Sequence, residues 1–293
     1  MDRRTFLGQM AAAGVLASTR IGAAGQAAGQ GRLTTIGMQL YTARTEMAKD
    51  VEGTLAKIAG IGYKEVEFAG YFDKTPQQIR QMLDRHGLAA PSAHIDLTTI
   101  STKLPQTLDA AHTIGHRFIV MPYLDDATRA QPDIFKKVAD TLNKAGEESK
   151  KAGIRMAYHN HNFEFIEVNG TSGFQQLMQD LDPALADVEL DLCWAVSTGQ
   201  DPVALFQKYP KRISMVHVKG LRKKPAEGAS APIPQVLPDV TEVGSNGDSI
   251  DWKSILAQAS ASGVQHYFVE HDQPKDPFAS LEASYGYLRT VTF

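Results

Sequence analysis

Residues 118–159 read FIVMPYLDDATRAQPDIFKKVADTLNKAGEESKKAGIRMAYH. The stretch opens on an apolar run, Phe118-Ile-Val-Met-Pro122, short enough for a buried strand and closed by proline. Phe135, Val138, Leu142 and Ala145 then recur at three- and four-residue spacing, the stripe of a helix with one face on a core. Gly153 can take the left-handed conformation that ends a helix, and Ile154-Arg-Met-Ala-Tyr-His159 begins a second strand at once. Parallel strands need a crossover of this kind, usually a helix. The unit is therefore strand, helix, glycine joint, strand.

The same unit repeats outward in both directions. Upstream lie Thr35-Ile-Gly-Met-Gln-Leu-Tyr41, Glu65-Val-Glu-Phe-Ala69 and Ala89-Ala-Pro-Ser-Ala-His-Ile95; downstream lie Val188-Glu-Leu-Asp-Leu192, Ile213-Ser-Met-Val-His-Val218 and Tyr267-Phe-Val-Glu270. Helical spacing separates them, and Gly87 and Gly115 repeat the joint. Eight strand–helix units fit the roughly 250 residues of a closed parallel barrel. A doubly wound open sheet would carry a glycine-rich phosphate loop after an early strand, whereas Gly37 is followed by Met-Gln-Leu-Tyr-Thr-Ala-Arg. The expected class is α/β, a (β/α)8 TIM barrel over residues 31–293.

Residues 1–30 read as a segment of a different kind. Arg3-Arg4-Thr5-Phe6-Leu7, a weakly apolar stretch from Gly8 to Ser18, Arg20 and a small-residue tract to Gly29 follow the order of a twin-arginine export signal. The expected partner of this segment is the twin-arginine export machinery, and the expected location of the mature chain is the periplasm. No apolar run reaches the roughly 20 residues of a membrane helix, so no membrane association is expected after signal removal. With 30 basic against 33 acidic residues the formal charge is −3, which offers no general attraction for nucleic acid. The one cysteine excludes an intrachain disulfide and a cysteine-rich metal centre.

Such a barrel places its active site at the C-terminal strand ends. The polar residues there are Gln39 and Tyr41, Glu67, His94, Tyr158-His159-Asn160-His161 with Glu164, Glu189 and Asp191, His217 and Lys219, and Glu270 and Asp272. Alternation puts Glu189 with Asp191, and Met215 with His217 and Lys219, on shared faces. Carboxylates and imidazoles converging from successive strands would leave costly unpaired charge in the barrel mouth. One divalent ion resolves it, and a donor set of O and N without thiolate suits Mn, Co, Mg, Fe or Zn. His159, Asp191, His217 and Glu270 are the expected ligands. Gln39, Glu67, His94 and Trp194 are the expected substrate contacts, with Trp194 and Phe68 also readable as core. His86, His112, His116, His266 and His271 read as structural.

The chain resembles the xylose-isomerase-like barrel superfamily of sugar isomerases, epimerases and inosose-type dehydratases. The resemblance runs from Thr35 to the C-terminus. It rests on Glu65-Val-Glu-Phe-Ala69, His159-Asn-His161 with Phe163-Glu-Phe165, Glu189-Leu-Asp-Leu192, Val216-His-Val-Lys219, Val243-Gly-Ser-Asn-Gly-Asp-Ser-Ile-Asp-Trp252 and Val269-Glu-His-Asp272. It implies a metal held by Glu, Asp, His and Glu from strands five to eight, of which Asp191, His217 and Glu270 match the last three. His159 stands where the first glutamate is expected. Two-base epimerisation would then need Glu164 or His161 in its place.

The expected chemistry is proton abstraction beside a metal-polarised carbonyl of a sugar or polyol. Glu270, His161, Glu164 and Glu67 are the candidate relays, and Lys219 the candidate partner of developing oxyanion charge. Isomerisation or epimerisation is the leading expectation, with lyase or dehydratase action on a keto-sugar or 3-keto-glycoside as the alternative. An exported enzyme would meet free sugars, keto-sugars or glycosides rather than phosphosugars. A non-catalytic sugar-binding barrel and a damaged-DNA endonuclease are the readings from other classes; the acidic balance opposes the second. The stretch Leu221 to Asp239 reads as an inserted loop over the site or a partner.

Overall fold

The computed structural model describes residues 31–223 and 232–293, and Gly31–Phe293 is one compact unit. Residues 1–30, expected to be a twin-arginine export signal, and residues 224–231 of the stretch expected to be an inserted loop lie outside the described residues. Eight parallel strands close into a barrel in sequence order: β1 (Gly37–Gln39), β2 (Glu65–Ala69), β3 (Ala89–His94), β4 (Phe118–Met121), β5 (Arg155–His159), β6 (Ala186–Asp191), β7 (Ile213–Val218) and β8 (His266–Val269), which pairs back onto β1. The principal outer helices are α1 (Val51–Ile61), α2 (Pro76–His86), α3 (Leu104–Ile114), α4 (Ile134–Lys151), α5 (Gly173–Asp180), α6 (Pro202–Lys208), α7 (Trp252–Ala261) and α8 (Pro277–Leu288). Among the described residues no helix is long and apolar enough to cross a membrane.

Local signals explain where the helices begin and end. In α2, Thr75 and Gln78 form a reciprocal capping box, Pro76 supplies a preset first turn, and Gly87 closes the helix in the left-handed region at φ 62°. In α4, Val138, Leu142 and Ala145 are buried, as the spacing predicts. β1 is shorter than the apolar run Thr35–Tyr41. The Gln39 side chain accepts the Tyr41 N–H at 3.0 Å, and Leu40–Ala43 turns into a 3-10 helix.

Alternation divides the strand residues between two cores. Ile119, Met121, Met156, Tyr158, Val216 and Val218 pack under the helices, while Phe118, Val120, Ala157, Met215 and Phe268 form a separate apolar plug in the bore. Gly37 is required beside that plug, because a Cβ there would lie 2.6 Å from the Phe268 ring. Toward the N-terminal strand ends the bore is closed by the ion pair of Arg155 with Asp187 and by the hydrogen bond between His266 Nδ1 and Glu65 at 2.8 Å. Toward the other end it holds polar groups only buried side chains could keep in place. This layering aims the functional residues at one mouth.

Candidate metal centre and substrate cavity

Pairing register sets the heights of the site residues. His159 lies opposite Glu189, and Asp191, two residues further along β6, lies opposite His217. Asp191 is buried and held from both sides: its N–H donates to Asn160 Oδ1 at 3.0 Å, and its Oδ1 accepts the Trp194 N–H at 2.8 Å. Asp191 thereby caps the short helix Leu192–Val196. Its Oδ2 accepts no hydrogen bond, although the Lys219 ammonium stands 3.0 Å away. The same ammonium lies 2.7 Å from Glu270 Oε2 and 3.1 Å from Asp272 Oδ2. His217 Nδ1 is 2.8 Å from Glu270 Oε2.

Burial and charge pull these groups in opposite directions. Burial pushes the Asp191 carboxyl up to about 6, more than Lys219 and His217 can offset. For Glu270 burial also raises, but Lys219 and His217 outweigh it and hold the carboxyl well below its usual range. Burial would strip the proton from Lys219, yet Asp191, Asp272 and Glu270 keep it charged well beyond an ordinary lysine. Lys219 is thus matched by two buried carboxylates and by Asp272 at the cavity wall, with His217 beside Glu270 as a second positive charge.

A second layer lies just beneath. Glu67 is fully buried and accepts from Gln39 Nε2 at 2.6 Å and from Ser92 Oγ, with His94 Nε2 at 3.0 Å and His217 Nε2 at 2.8 Å. Burial disfavours the charge on His94, but Glu67 and Glu189 outweigh it and raise its pKa to about 9. His159 is driven the other way, well below an ordinary histidine, first by burial and then by the positive charges of its neighbours.

Asp191, His217 and Glu270 bring one ligand atom each within 4.8 Å of the others. Three buried O/N donors, one an oxygen without a hydrogen bond, fit a divalent ion. The expected fourth ligand does not complete this set. His159 Nε2 is 4.0 Å from Asp191 Oδ2, and its Nδ1 turns to Glu189 at 3.1 Å, so His159 joins a cluster with His94, Glu189 and His217. The reason is register: the end of β5 stops level with Glu189.

Above both layers opens a cavity of about 650 Å³. Of the expected substrate contacts, His94 and Trp194 line it, while Gln39 and Glu67 are sealed into the bore below. Glu270, Lys219 and His161 also line it. Glu164 does not: its carboxylate accepts from Tyr158 Oη at 2.7 Å and from the His161 N–H at 2.8 Å, in a buried position. Burial raises the Glu164 carboxyl to about 7. Ile233 and Leu237 bring the inserted stretch to the cavity wall. Arg44, Asp96 and Tyr123 also line the wall; they lie beyond the strand ends, where strand periodicity carries no signal for them.

The family model of the xylose isomerase-like TIM barrel matches residues 55–291. The chain belongs to that family. An inosose dehydratase of Lacticaseibacillus casei is 25% identical over 205 residues, 62% of this chain and 68% of that protein. An inosose dehydratase of Clostridium beijerinckii is 25% identical over 191 residues, 58% of this chain and 63% of that protein. The aligned part thus spans about two thirds of these curated relatives. A sugar phosphate isomerase/epimerase from Parabacteroides distasonis superimposes with a TM-score of 0.73 at 26% identity, over 90% of this chain and 95% of that chain. The IolI protein, solved with a zinc atom, shares the fold at 14% identity and a TM-score of 0.65, over 86% of this chain and 95% of its own.

Proposed function

We propose that this protein is a divalent-metal-dependent enzyme that removes a proton beside the carbonyl of an unphosphorylated keto-sugar or keto-polyol and expels a β-oxygen, as a dehydratase or glycoside lyase. The observation that carries the reading is the placement of the glutamates. Glu270 faces the cavity, whereas Glu164 is bound away from it and His159 stands where a second glutamate would be needed. One carboxylate base supports elimination better than an epimerisation that needs a base on each face. The inosose dehydratase relatives point the same way.

Asp191, His217 and Glu270 would hold the divalent ion, which when bound would supply electrophilic polarisation of a substrate carbonyl. Glu270 takes the proton from the adjacent carbon, and the electron pair left behind forms the double bond as the β-oxygen departs. The same carboxyl returns its proton to that oxygen, so one base balances the reaction with loss of water or an alcohol. Lys219, charged and immobile, faces the oxygen on which negative charge develops. Trp194, 5.7 Å from the His161 ring, shapes one wall for a sugar ring.

The cavity also bears on the substrate's charge. Among the described residues its cations are Arg44, Lys219 and His94; Arg44 already donates to Tyr41 O and Asp272 O, Lys219 is matched by three carboxylates, and His94 lies against Glu67 and Glu189. Such a wall favours a neutral sugar over a phosphosugar. Isomerisation remains the second reading, favoured by the Parabacteroides distasonis relative. Proton NMR in D2O with metal-loaded protein and a panel of inososes, ketoses and 3-keto-glycosides separates the two. Elimination gives an enone and released water or alcohol; isomerisation gives deuterated ketose and aldose without either. Sugar binding with no exchange under any metal would overturn both and leave a binding barrel. The reading includes export: replacing Arg3 and Arg4 by lysine should retain the protein in the cytoplasmic fraction, and unchanged export would refute that part.

A further inference from the structure

The layer beneath the cavity contains a group of donors of which the proposed reaction uses only His217. Glu189 Oε2 lies 2.9 Å from His94 Nε2, 3.1 Å from His159 Nδ1 and 3.2 Å from His217 Nε2. Four strands deliver these side chains: β3, β5, β6 and β7. His159, Glu189 and His217 are buried, and His94 is nearly so at 11% side-chain exposure. Hydrogen bonding accounts for only part of the arrangement: His94 Nε2 pairs with Glu189 Oε2, whereas the His159 contact makes no hydrogen bond. His159 Nδ1 and Glu189 Oε1 are buried atoms that make no hydrogen bond, a costly condition.

The spacing has another explanation. Ligand atoms about 2.0 Å from a tetrahedral ion stand roughly 3.3 Å from one another. The separations of 2.9–3.2 Å around Glu189 Oε2 come close to that edge length, and one atom from each of the four residues lies within 4.8 Å of the rest. Glu67 Oε1 meets the same two nitrogens, His94 Nε2 at 3.0 Å and His217 Nε2 at 2.8 Å, so in the metal-free chain this carboxylate, itself fixed by Gln39 and Ser92, holds the nitrogens that an ion would take.

We propose that His94, His159, Glu189 and His217 form a second metal site, deeper than the Asp191–His217–Glu270 set and not dependent on Asp191. Three imidazoles and one carboxylate select a nitrogen-preferring ion such as Zn or Co over Mg. His217 stands between the two sets: Nε2 belongs to the deep site, while Nδ1 faces Glu270 at 2.8 Å. The deep ion lies beneath the cavity floor, to which His94 and His159 contribute. It would brace the rings that form this floor, whatever reaction takes place above.

The test is Co(II) titration of metal-free protein, followed by visible absorption and by metal content after dialysis. The chains compared are wild type, Asp191→Asn, and Asp191→Asn combined with His94→Ala. Asp191→Asn should keep about one Co(II) per chain, with the strong visible bands of a four-coordinate, nitrogen-rich ion, and the double variant should keep none. Circular dichroism confirms that each variant is folded, and His94→Gln replaces His94→Ala if the latter is not. The proposal is overturned if Asp191→Asn binds no Co(II), or if its ion survives removal of His94 with the same spectrum. The cluster would then be a hydrogen-bonded network alone. Failure of the proposed reaction would appear as absent turnover and would leave these metal counts unchanged.

Discussion

Lys219 carries the electrostatics of the mouth. Its ammonium lies within 3.1 Å of Asp191, Glu270 and Asp272, and it is almost wholly buried. A buried cation of this kind costs desolvation, recovered only because three carboxylates surround it. Lys219→Met keeps the length of the side chain and removes the charge. The metal-free variant should lose about 3 kcal/mol of stability, since the carboxylates are left uncompensated, and should bind a divalent ion at least as tightly as the wild type. Turnover should fall about 100-fold or more through the loss of charge stabilisation. Denaturation with and without metal, beside steady-state rates, checks all three; undiminished turnover would remove Lys219 from the chemistry. His116 illustrates a different use of burial. Burial holds its pKa down at about 4 despite the hydrogen bond of Nδ1 with Ala90 O at 2.6 Å. The unfolded chain, with an ordinary histidine near 6.5, binds the proton first as pH falls. The neutral ring therefore contributes fully above about 6.5, and its contribution is lost between there and about 4, on the order of 3 kcal/mol in all. His116→Gln should flatten the stability–pH curve in that window relative to wild type; an unchanged difference would show that the ring titrates normally.

At the scale of elements, one loop side chain ties the end of the seventh strand to the following helix. Asp248 accepts N–H groups from Leu221, Ile250 and Gly244, and the indole N–H of Trp252 at 2.6 Å. Those partners span the ribbon Gly220–Leu221 next to Lys219, the turn at Gly244 and the start of α7. Asp248→Ala should cost about 3 kcal/mol, because several buried donors lose a charged acceptor together, and Asp248→Asn should cost less by keeping one oxygen. Chemical denaturation measures the difference, and equal losses would show that packing rather than these bonds holds the loop. The sequence displays this loop only as a motif, Val243 to Trp252, because four donors from three elements meet there through the fold alone. The strands were more legible, since apolar runs closed by turn residues need no tertiary information. The ribbons at Glu167–Val168 and Thr171–Ser172 and at Gly220–Leu221 and Val240–Thr241 were not, being two residues per arm and too short for alternation to register. The site divided along the same line. Strand-end position and two-residue periodicity bring out Asp191, His217, Lys219 and Glu270, but the relative height of neighbouring strands decides that His159 meets Glu189 rather than completing the Asp191 set. That height is a property of barrel stagger, which no single strand encodes.

Across the whole molecule the bore is graded along its axis. The Arg155–Asp187 ion pair and the His266–Glu65 hydrogen bond close the N-terminal end, an apolar plug built on Phe118, Met215 and Phe268 insulates the middle, and the polar layers lie at the opposite mouth. The plug keeps the dielectric low beneath Glu67 and Glu189, so uncompensated charge in the mouth is felt by the entire fold rather than by one loop. Metal binding should then appear as global stability. An ion that binds only the folded chain stabilises it by RT ln(1 + [M]/Kd), about 2.7 kcal/mol at a hundredfold excess over Kd. For a barrel of this size each kcal/mol moves the melting midpoint about 2–4 °C, so saturating Co or Zn should raise it by about 5–10 °C over chelator-treated protein. Asp191→Asn should reduce that rise, and the rise should track metal concentration logarithmically. Calorimetry across a metal series checks it. A midpoint indifferent to metal and chelator alike would mean that no ion binds the folded barrel with useful affinity, and the carboxylates of the mouth would then have Lys219 and the histidines as their only counter-charges.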